Sequence, residues 1–285
     1  MSRLAVVLLA ALAAPCALLL PAASLPGVAR TPLRLIATPA AVVQGGTVEV
    51  RVRGAPTGAE LRVGAQAVPL HRFQGTLRAF VGTSPLTPPG RLPLTVQAPT
   101  PDGLRRAATS VVVRRGDFGL RRLRVPPQLL DPALVARERA RLAAATAHPL
   151  PEPQWTGPFI RPVDGAVTSG YGVRSIYNGV PRGYHLGVDF RGAVGTPVRA
   201  AHHGLVTLAE ALPLSGNTVV LDHGAGIFTT YQHLDRIAVS PGQRVRQGAV
   251  VGTVGATGLV TGPHLHWGMR VHGVRVDPLF WTRSP

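Results

Sequence analysis

Apolar and polar residues alternate through residues 31 to about 115, which predicts a series of short β-strands. The alternation is plainest at 48–53, which reads VEVRVR. Glycine- or proline-rich breaks lie at 45–46, 54–58 and 88–90. Many short strands separated by such turns predict a small Ig-like β-sandwich. The strand-like segments lie near 33–37, 47–53, 59–63, 76–81, 91–98 and 107–114.

One helix is predicted after the sandwich. Asp131 followed by Pro132 has the form of an N-cap and a first-turn proline, and apolar residues then recur at helical spacing as far as His148 and Pro149. Alternate prolines at 149–153 predict a stiff, extended linker. From Phe159 onward short strand-like segments return among many glycines and prolines, without a clear helical pattern. The chain is therefore predicted to be all-β apart from one short linking helix.

Residues 1–29 have the pattern of an export signal: a short basic start is followed by an apolar stretch at 4–20 that Pro15 interrupts. A membrane helix needs an uninterrupted apolar span of about 20 residues, so a cleaved signal peptide is favoured over an anchor. Cleavage is expected after Ala23 or Ala29, and no stable membrane span should remain afterwards. The expected segments are a signal peptide (1–29), a β-sandwich accessory domain (30–116), a linker with a helix (117–156) and a catalytic domain (157–285).

Composition narrows the chemistry of the exported chain. Cys16, the only cysteine, lies within the signal, so disulfides, thiolate ligands and a cysteine nucleophile are all excluded after cleavage. A formal net charge of +17 suggests an anionic environment such as a wall polymer, a membrane surface or nucleic acid. All 30 cationic side chains are arginine and they are scattered, without the aromatic interleaving or recognition helix typical of nucleic-acid binding. A nucleic-acid partner is therefore not expected.

Histidines and one aspartate predict a metal site in the second half of the chain, where eight of the ten histidines occur. In an extended strand His185 and Asp189 share one face, and His264 and His266 share another. His233 adds an imidazole in a strand-like setting. Two imidazoles and one carboxylate, with an open fourth position, match a catalytic Zn²⁺ site. Hydrolysis is the expected chemistry.

The remaining histidines are expected to be structural. His71 and His272 are predicted at the surface, the second of them in a hairpin, His202 and His203 in a loop, and His223 in a turn. The helical motif of two histidines and a glutamate found in other zinc proteases is absent from the sequence.

Three motifs carry a family resemblance. HLGVD at 185–189, YQHL at 231–234 and GPHLHW at 262–267 resemble the lysostaphin/LytM-type zinc endopeptidases, and the likeness covers roughly residues 157–282. The resemblance implies a LytM-type β-sheet or barrel-like metallopeptidase domain in which His185, Asp189 and His266 bind Zn²⁺. It also implies that His233 and His264 stand beside the metal-bound water, with the identity of the general base left open.

The same resemblance implies the function. We expect a secreted zinc-dependent endopeptidase that hydrolyses peptide bonds in peptidoglycan stems or cross-bridges during cell-wall remodelling, located in the periplasm or outside the cell at the wall. Its partners would be peptidoglycan peptides. The alternative is a non-catalytic relative that binds the wall or activates an amidase. The bond that is cut, the role of the sandwich and the oligomeric state stay open.

Two further segments carry expectations. Residues 173–184, with Tyr177, Asn178, Arg182 and Tyr184, are expected to form one wall of the substrate groove. PGQRVRQG at 241–248 is similar to the hairpin of biotinyl and lipoyl carrier domains, but those carriers attach their cofactor to a lysine and the chain has none. That segment is therefore expected to be a structural hairpin.

Overall fold

Two facing β-sheets form the first half of the computed structural model, which describes residues 31–73 and 75–283. One sheet has the order β1-β3-β7-β6 and the other β2-β9-β8-β4-β5. The strands are β1 (Arg34–Thr38), β2 (Ala41–Val43), β3 (Thr47–Arg53), β4 (Glu60–Val63), β5 (Gln66–Val68), β6 (His71–Phe73), β7 (Thr76–Gly82), β8 (Gly90–Thr100) and β9 (Gly103–Arg114). All six predicted strands are confirmed.

The sandwich core follows from the alternating pattern. Val48, Val50 and Val52 of β3 turn inward, where they meet Leu61 and Leu94 from the other sheet, and all five are buried. Within the two sheets of the sandwich, β2, β5 and β6 were not predicted. Each has three residues, which is too short for an alternation to be recognised.

A strand, a short 3-10 helix and an α-helix follow: β10 (Leu120–Leu123), Pro127–Leu130 and α1 (Pro132–Ala144). The Asp131 side chain accepts a hydrogen bond from the Ala133 amide at 2.9 Å, so the predicted N-cap is confirmed. The helix ends four residues before His148, the position where its pattern was expected to stop.

The rest of the chain is again strand-rich, as predicted. A ten-stranded sheet runs in the order β11-β14-β21-β18-β17-β16-β19, with β15, β20 and β22 added beside it, while β10, β12 and β13 form a separate sheet. The strands are β11 (Val167–Ser169), β12 (Arg174–Tyr177), β13 (Val180–Tyr184), β14 (Val188–Arg191), β15 (Pro197–Arg199), β16 (Gly204–Leu212), β17 (Gly216–Asp222), β18 (Ile227–Ile237), β19 (Arg244–Val245), β20 (Val250–Val254), β21 (His264–Val271) and β22 (Val274–Val276), followed by a 3-10 helix, Pro278–Thr282.

Helix α1 is fastened to the large sheet. Leu142 packs with Val220 and Phe228 in a small apolar cluster. Glu138, which is 6% exposed, accepts hydrogen bonds from the backbone amides of Leu214 at 2.6 Å and Ser215 at 3.0 Å, and from the Ser215 hydroxyl at 2.6 Å. The linking helix is therefore a fixed part of the sheet surface, held by apolar contact and by a buried carboxylate.

Aromatic side chains join the sandwich to the second half. The rings of Phe73 and Phe80 lie 5.3 Å from that of Trp155, and the Phe80 ring lies 5.2 Å from that of Trp281. Trp281 also donates a hydrogen bond to the Thr47 hydroxyl at 3.1 Å. The described residues from Pro32 onward form one compact unit. The proposed boundaries at 30–116, 117–156 and 157–285 stay predictions.

The predicted signal peptide, residues 1–29, lies outside the described residues. Within 31–73 and 75–283, no helix has both the length and the apolar character needed to cross a bilayer.

Two histidines differ from their predicted settings. His223 lies after β17, near the turn at 224–226, but it is fully buried. Its Nδ1 is 2.7 Å from the His203 carbonyl oxygen and its Nε2 is 2.8 Å from the Thr229 hydroxyl. Burial lowers its pKa to about 3. His272 does lie in the β21–β22 hairpin, but its ring stacks on that of His71 at 5.8 Å and is largely covered.

Replacing Glu138 with alanine should lower the free energy of unfolding by about 2–3 kcal/mol, because buried donors at Leu214 and Ser215 lose their acceptor. The exposed Arg137, one position earlier in α1, supplies the control: Arg137→Ala should change stability by no more than about 0.5 kcal/mol. Urea unfolding measures both. Equal effects of the two substitutions would contradict the anchoring role of Glu138.

His223 should make stability depend on pH. Its pKa in the folded chain, about 3, is below the ordinary value of 6.5, so the unfolded chain binds the proton more readily and stability falls as pH drops below 6.5. The contribution of this residue should shrink by about 2 kcal/mol between pH 8 and pH 5. Urea unfolding at several pH values should show a shallower loss for His223→Gln than for the parent chain. The exposed His148→Gln should keep the parent's slope, and a similar slope in both variants would refute the assignment.

Candidate metal centre

Strand pairing brings one carboxylate and two imidazoles to the same face of the large sheet. In the antiparallel pair β14 and β21, Asp189 lies opposite His266 and Arg191 opposite His264. Directly opposed residues share a face, so Asp189 and His266 project together. His264, two residues before His266 in the same strand, shares that face as the sequence predicted.

His185 reaches the group by a different route from the one expected. It precedes β14 in a loop, so strand alternation does not position it. The loop crosses close to β21 at Gly187, where an added Cβ would lie 2.6 Å from the His266 ring. Glycine at this position therefore lets His185 approach Asp189 from the side.

The three side chains meet at one point. The Nε2 atom of His185, the Oδ1 atom of Asp189 and the Nδ1 atom of His266 are each 2.9 Å from the other two. The Nδ1 atom of His185 is 2.9 Å from the Gly170 carbonyl oxygen, to which it donates its proton, so Nε2 turns a lone pair inward. Converging lone pairs repel one another unless a proton or a metal cation lies between them. These residues form a group that could hold a metal ion.

The electrostatics of the group suit a cation. Burial by itself raises the pKa of Asp189, but the imidazoles of His185 and His266 outweigh burial and hold this pKa well below its usual range. Burial lowers the pKa of His266 to about 4, which favours the neutral imidazole that metal binding requires. Two neutral imidazoles and an ionised carboxylate, with the fourth position free, are the donors of a catalytic Zn²⁺ site. The geometry therefore fits the predicted cofactor, Zn²⁺.

His233 and His264 lie beside this cluster. Their ring centroids are 4.9 Å apart, and the Nε2 atom of His264 is 3.8 Å from the Oδ1 atom of Asp189. Each ring is oriented by a backbone carbonyl, since Nδ1 of His233 is 2.9 Å from the oxygen of Thr257 and Nδ1 of His264 is 2.8 Å from that of Gly262. In the neutral tautomers that these contacts favour, both Nε2 atoms carry free lone pairs.

The backbone at His233 is strained. Its φ of +63° lies in the left-handed region, which is uncommon for any residue other than glycine. Strand β18 changes partner here: Gln232 pairs with His266 in β21, whereas Leu234 pairs with Val254 in β20. The His233 amide donates a hydrogen bond to the Ser215 carbonyl at 2.9 Å. Burial, followed by the charges of His266 and His264, lowers the pKa of His233 to about 3.

Sequence analysis missed Arg121. Its guanidinium is 3.5 Å from the Oδ2 atom of Asp189 and donates a hydrogen bond to the Ser175 hydroxyl at 2.9 Å. Arg121 therefore faces the carboxylate oxygen that points away from the three-atom cluster. It belongs to β10, which runs parallel to β12, and a strand so distant in sequence gives no motif by which this contact could be found.

A groove of about 930 Å³ surrounds the cluster. Tyr177, Arg182 and Tyr184 of the β12–β13 hairpin line one wall, in agreement with the expectation for 173–184. Asn178 does not line the groove, and its amide group instead makes hydrogen bonds of 2.9 and 2.7 Å with the backbone of Val125. Residues between 121 and 143, which the sequence did not predict, also line the groove.

Comparisons with known proteins agree with this geometry. The profile of peptidase family M23 matches residues 183–278, which include all five predicted site residues. Peptidoglycan DD-endopeptidase ShyC of Vibrio cholerae is 44% identical over 94 residues, which are 33% of this chain and 22% of that protein. DD-carboxypeptidase/endopeptidase Mpg of Neisseria meningitidis is 42% identical over 95 residues, again 33% of this chain and 22% of that protein. The chain thus spans about a fifth of the length of these relatives.

A solved structure extends the likeness beyond the matched segment. A Pseudomonas aeruginosa protein assigned to peptidase M23 is 31% identical, with a TM-score of 0.65, and the alignment covers 84% of this chain and 94% of that one. Together with the family match, this coverage confirms the peptidase family that the sequence motifs resembled. The chain therefore belongs to peptidase family M23.

Proposed function

We propose that this chain is a secreted, zinc-dependent endopeptidase that hydrolyses peptide bonds in peptidoglycan. The observation that carries the proposal is the meeting of three lone-pair atoms, each 2.9 Å from the others, beside two histidines that are not part of the triangle. Two relatives named for peptidoglycan or peptide-bond hydrolysis, ShyC and Mpg, are 44% and 42% identical to about a third of this chain.

His185, Asp189 and His266 would hold the metal. When bound, Zn²⁺ would lower the pKa of a water molecule and polarise the scissile carbonyl. The Gly170 carbonyl fixes the tautomer of His185, and Arg121 faces the second oxygen of Asp189, so both ligands are held in the orientation that binding needs. The groove of about 930 Å³ includes this point in its lining.

His233 and His264 would carry out the proton transfers of peptide-bond hydrolysis. One imidazole accepts the proton that the attacking water loses as the new C–O bond forms and the carbonyl opens. It then passes that proton to the amine nitrogen, which leaves as the C–N bond breaks and the carbonyl re-forms. The other, once it has taken a proton from solvent, donates a hydrogen bond from Nε2 to the carbonyl oxygen as negative charge develops there. The two rings have equivalent backbone anchors, so the division of these roles stays open.

A peptidoglycan substrate requires this chain to act outside the cytoplasm. The bond lies outside the cytoplasmic membrane, so the chain must be exported to the periplasm or to the cell surface. The apolar segment at 4–20 would direct this export. A strongly basic chain with a net charge of +17 would also favour an anionic wall.

Digestion of purified peptidoglycan by the chain without residues 1–29 tests this proposal directly. We expect new amine ends, identified by mass analysis of the released fragments, and expect them to vanish when a zinc chelator is present and to return when zinc is restored. Zinc-loaded protein that binds several wall types without releasing fragments would contradict the proposal and favour the wall-binding or amidase-activating alternative.

Substitutions should separate metal binding from proton transfer. Asp189→Ala should lose both zinc and hydrolysis, because one of three ligands is removed. His264→Ala should retain zinc at the parent stoichiometry while kcat falls by about 10²- to 10⁴-fold. Metal analysis after gel filtration and the wall digestion assay give the two readouts. His71→Ala, a histidine remote from the cluster, is the control, and parent-like digestion by all three variants would show that the roles are misassigned.

A further inference from the structure

Three arginines form a second polar cluster in the groove. Arg270 of β21 lies directly opposite Arg275 of β22, and the two side chains line the cavity together with Arg139 of α1. Like charges directly opposite each other in a sheet destabilise it. Arg270 and Arg275 are moreover partly buried, so water screens their repulsion less than it would at the surface.

This arginine cluster shares the sheet face of the metal centre. Arg270 follows His266 by four residues in one strand, so both side chains project from the same side. Four residues of strand extend about 13 Å. A peptide lying along β21 from the metal centre would therefore reach the arginine cluster after roughly four residue lengths.

Carboxylate partners are missing at this cluster although the chain supplies them elsewhere. Glu49 pairs with Arg51 at 2.8 Å, and Glu210 pairs with Arg141 at 2.7 Å. Arg141 belongs to the same helix as Arg139. Among residues 31–73 and 75–283, the side chains of Arg139, Arg270 and Arg275 have neither an ion pair nor a hydrogen bond.

The carboxylate that acts on Arg275, that of Glu138, does not fill this gap. Glu138 lies at the same part of the groove, but its two oxygens already accept three hydrogen bonds from Leu214 and Ser215. Burial, followed by the charges of Arg270 and Arg139, lowers the pKa of Arg275 to about 10. Three guanidinium groups thus face the cavity with one nearby carboxylate, which leaves a local excess of positive charge.

We propose that Arg139, Arg270 and Arg275 form a subsite that binds a free carboxylate of the peptide substrate, several residues from the bond that is cut. This inference rests on the proposed function and adds a substrate preference to it. The enzyme selects cross-linked stem peptides that carry free carboxylates over neutral bridges or amidated stems. The guanidinium groups suit this ligand, since a carboxylate accepts paired hydrogen bonds from arginine.

Two soluble peptides provide the probe: a synthetic cross-linked stem peptide with free carboxylates and a copy with those groups amidated. The parent chain should show a kcat/KM about ten- to a hundredfold higher for the free acid, through a lower KM at similar kcat. Arg139→Gln should reduce this preference about tenfold. Arg137→Gln, a matched change on the same helix but outside the groove lining, should leave it intact.

Arg275 supplies a readout that a packing role would not produce. Arg275→Gln removes the repulsion with Arg270, so it should raise Tm while it weakens the preference for the free acid. Arg275→Lys should keep more of that preference than Arg275→Gln because it keeps the charge. Equal cleavage of both peptides by the parent would overturn the subsite. So would an Arg275→Gln variant with a lower Tm and an equal loss of kcat/KM on both peptides.

Binding separates this inference from the proposed function. Fluorescence anisotropy with His264→Ala protein measures the affinity for each labelled peptide without cleavage. Tighter binding of the free acid would support the subsite even if the parent cleaved neither peptide. Failure to cleave either peptide would refute only the endopeptidase. Cleavage of both peptides together with equal affinities would retain the endopeptidase and refute the subsite.

Discussion

Mutual repulsion among three lone-pair atoms is the constraint that organises this protein. Atoms of His185, Asp189 and His266 lie 2.9 Å from one another in a buried place, and the tautomer of His185 is fixed by the Gly170 carbonyl. A cation turns that repulsion into attraction. The surrounding structure therefore has to hold three acceptors together in a geometry that is favourable only when a proton or a metal cation lies between them, and much of the second half of the chain can be understood as serving that need.

The large sheet provides the necessary stiffness. Strand β21 pairs with β14 on one side and β18 on the other, so the register alone sets Asp189 against His266 and Gln232 against His266. The backbone departs from regular strand geometry at two positions beside the metal centre. Gly187 lets a loop cross the His266 ring, and His233 adopts a positive φ while its amide is held by Ser215. Helix α1 supports the contact between His233 and Ser215, because Glu138 of α1 accepts a hydrogen bond from the Ser215 amide. Glu138 lies outside the segment that matches the family.

The arginines differ in their surroundings inside and outside the groove. Two arginines outside the groove have carboxylate partners, in the pairs of Arg51 with Glu49 and Arg141 with Glu210. Within the part of the chain that the structure describes, the arginines that line the groove have none, apart from Arg121, which faces Asp189. The high net positive charge of the chain by itself suggested only a general attraction to anionic surroundings. In the structure, part of that charge is concentrated in the groove. A groove with unpaired guanidinium groups is tuned to an anionic peptide at some cost in stability.

The sequence by itself determined the strand content, the N-cap of the helix, the peptidase family and the five candidate site residues, because alternation and short motifs are local signals. Its expectation for His185 was right in outcome and wrong in mechanism, since a loop rather than strand alternation brings this residue to Asp189. Only the tertiary structure decided that Arg121 faces Asp189, that α1 lines the groove, that Asn178 binds the backbone of Val125, and that Arg139 lines the same groove as Arg270 and Arg275. These contacts join residues far apart in the chain, and long-range pairing depends on how sheets and helix pack, which no local pattern encodes.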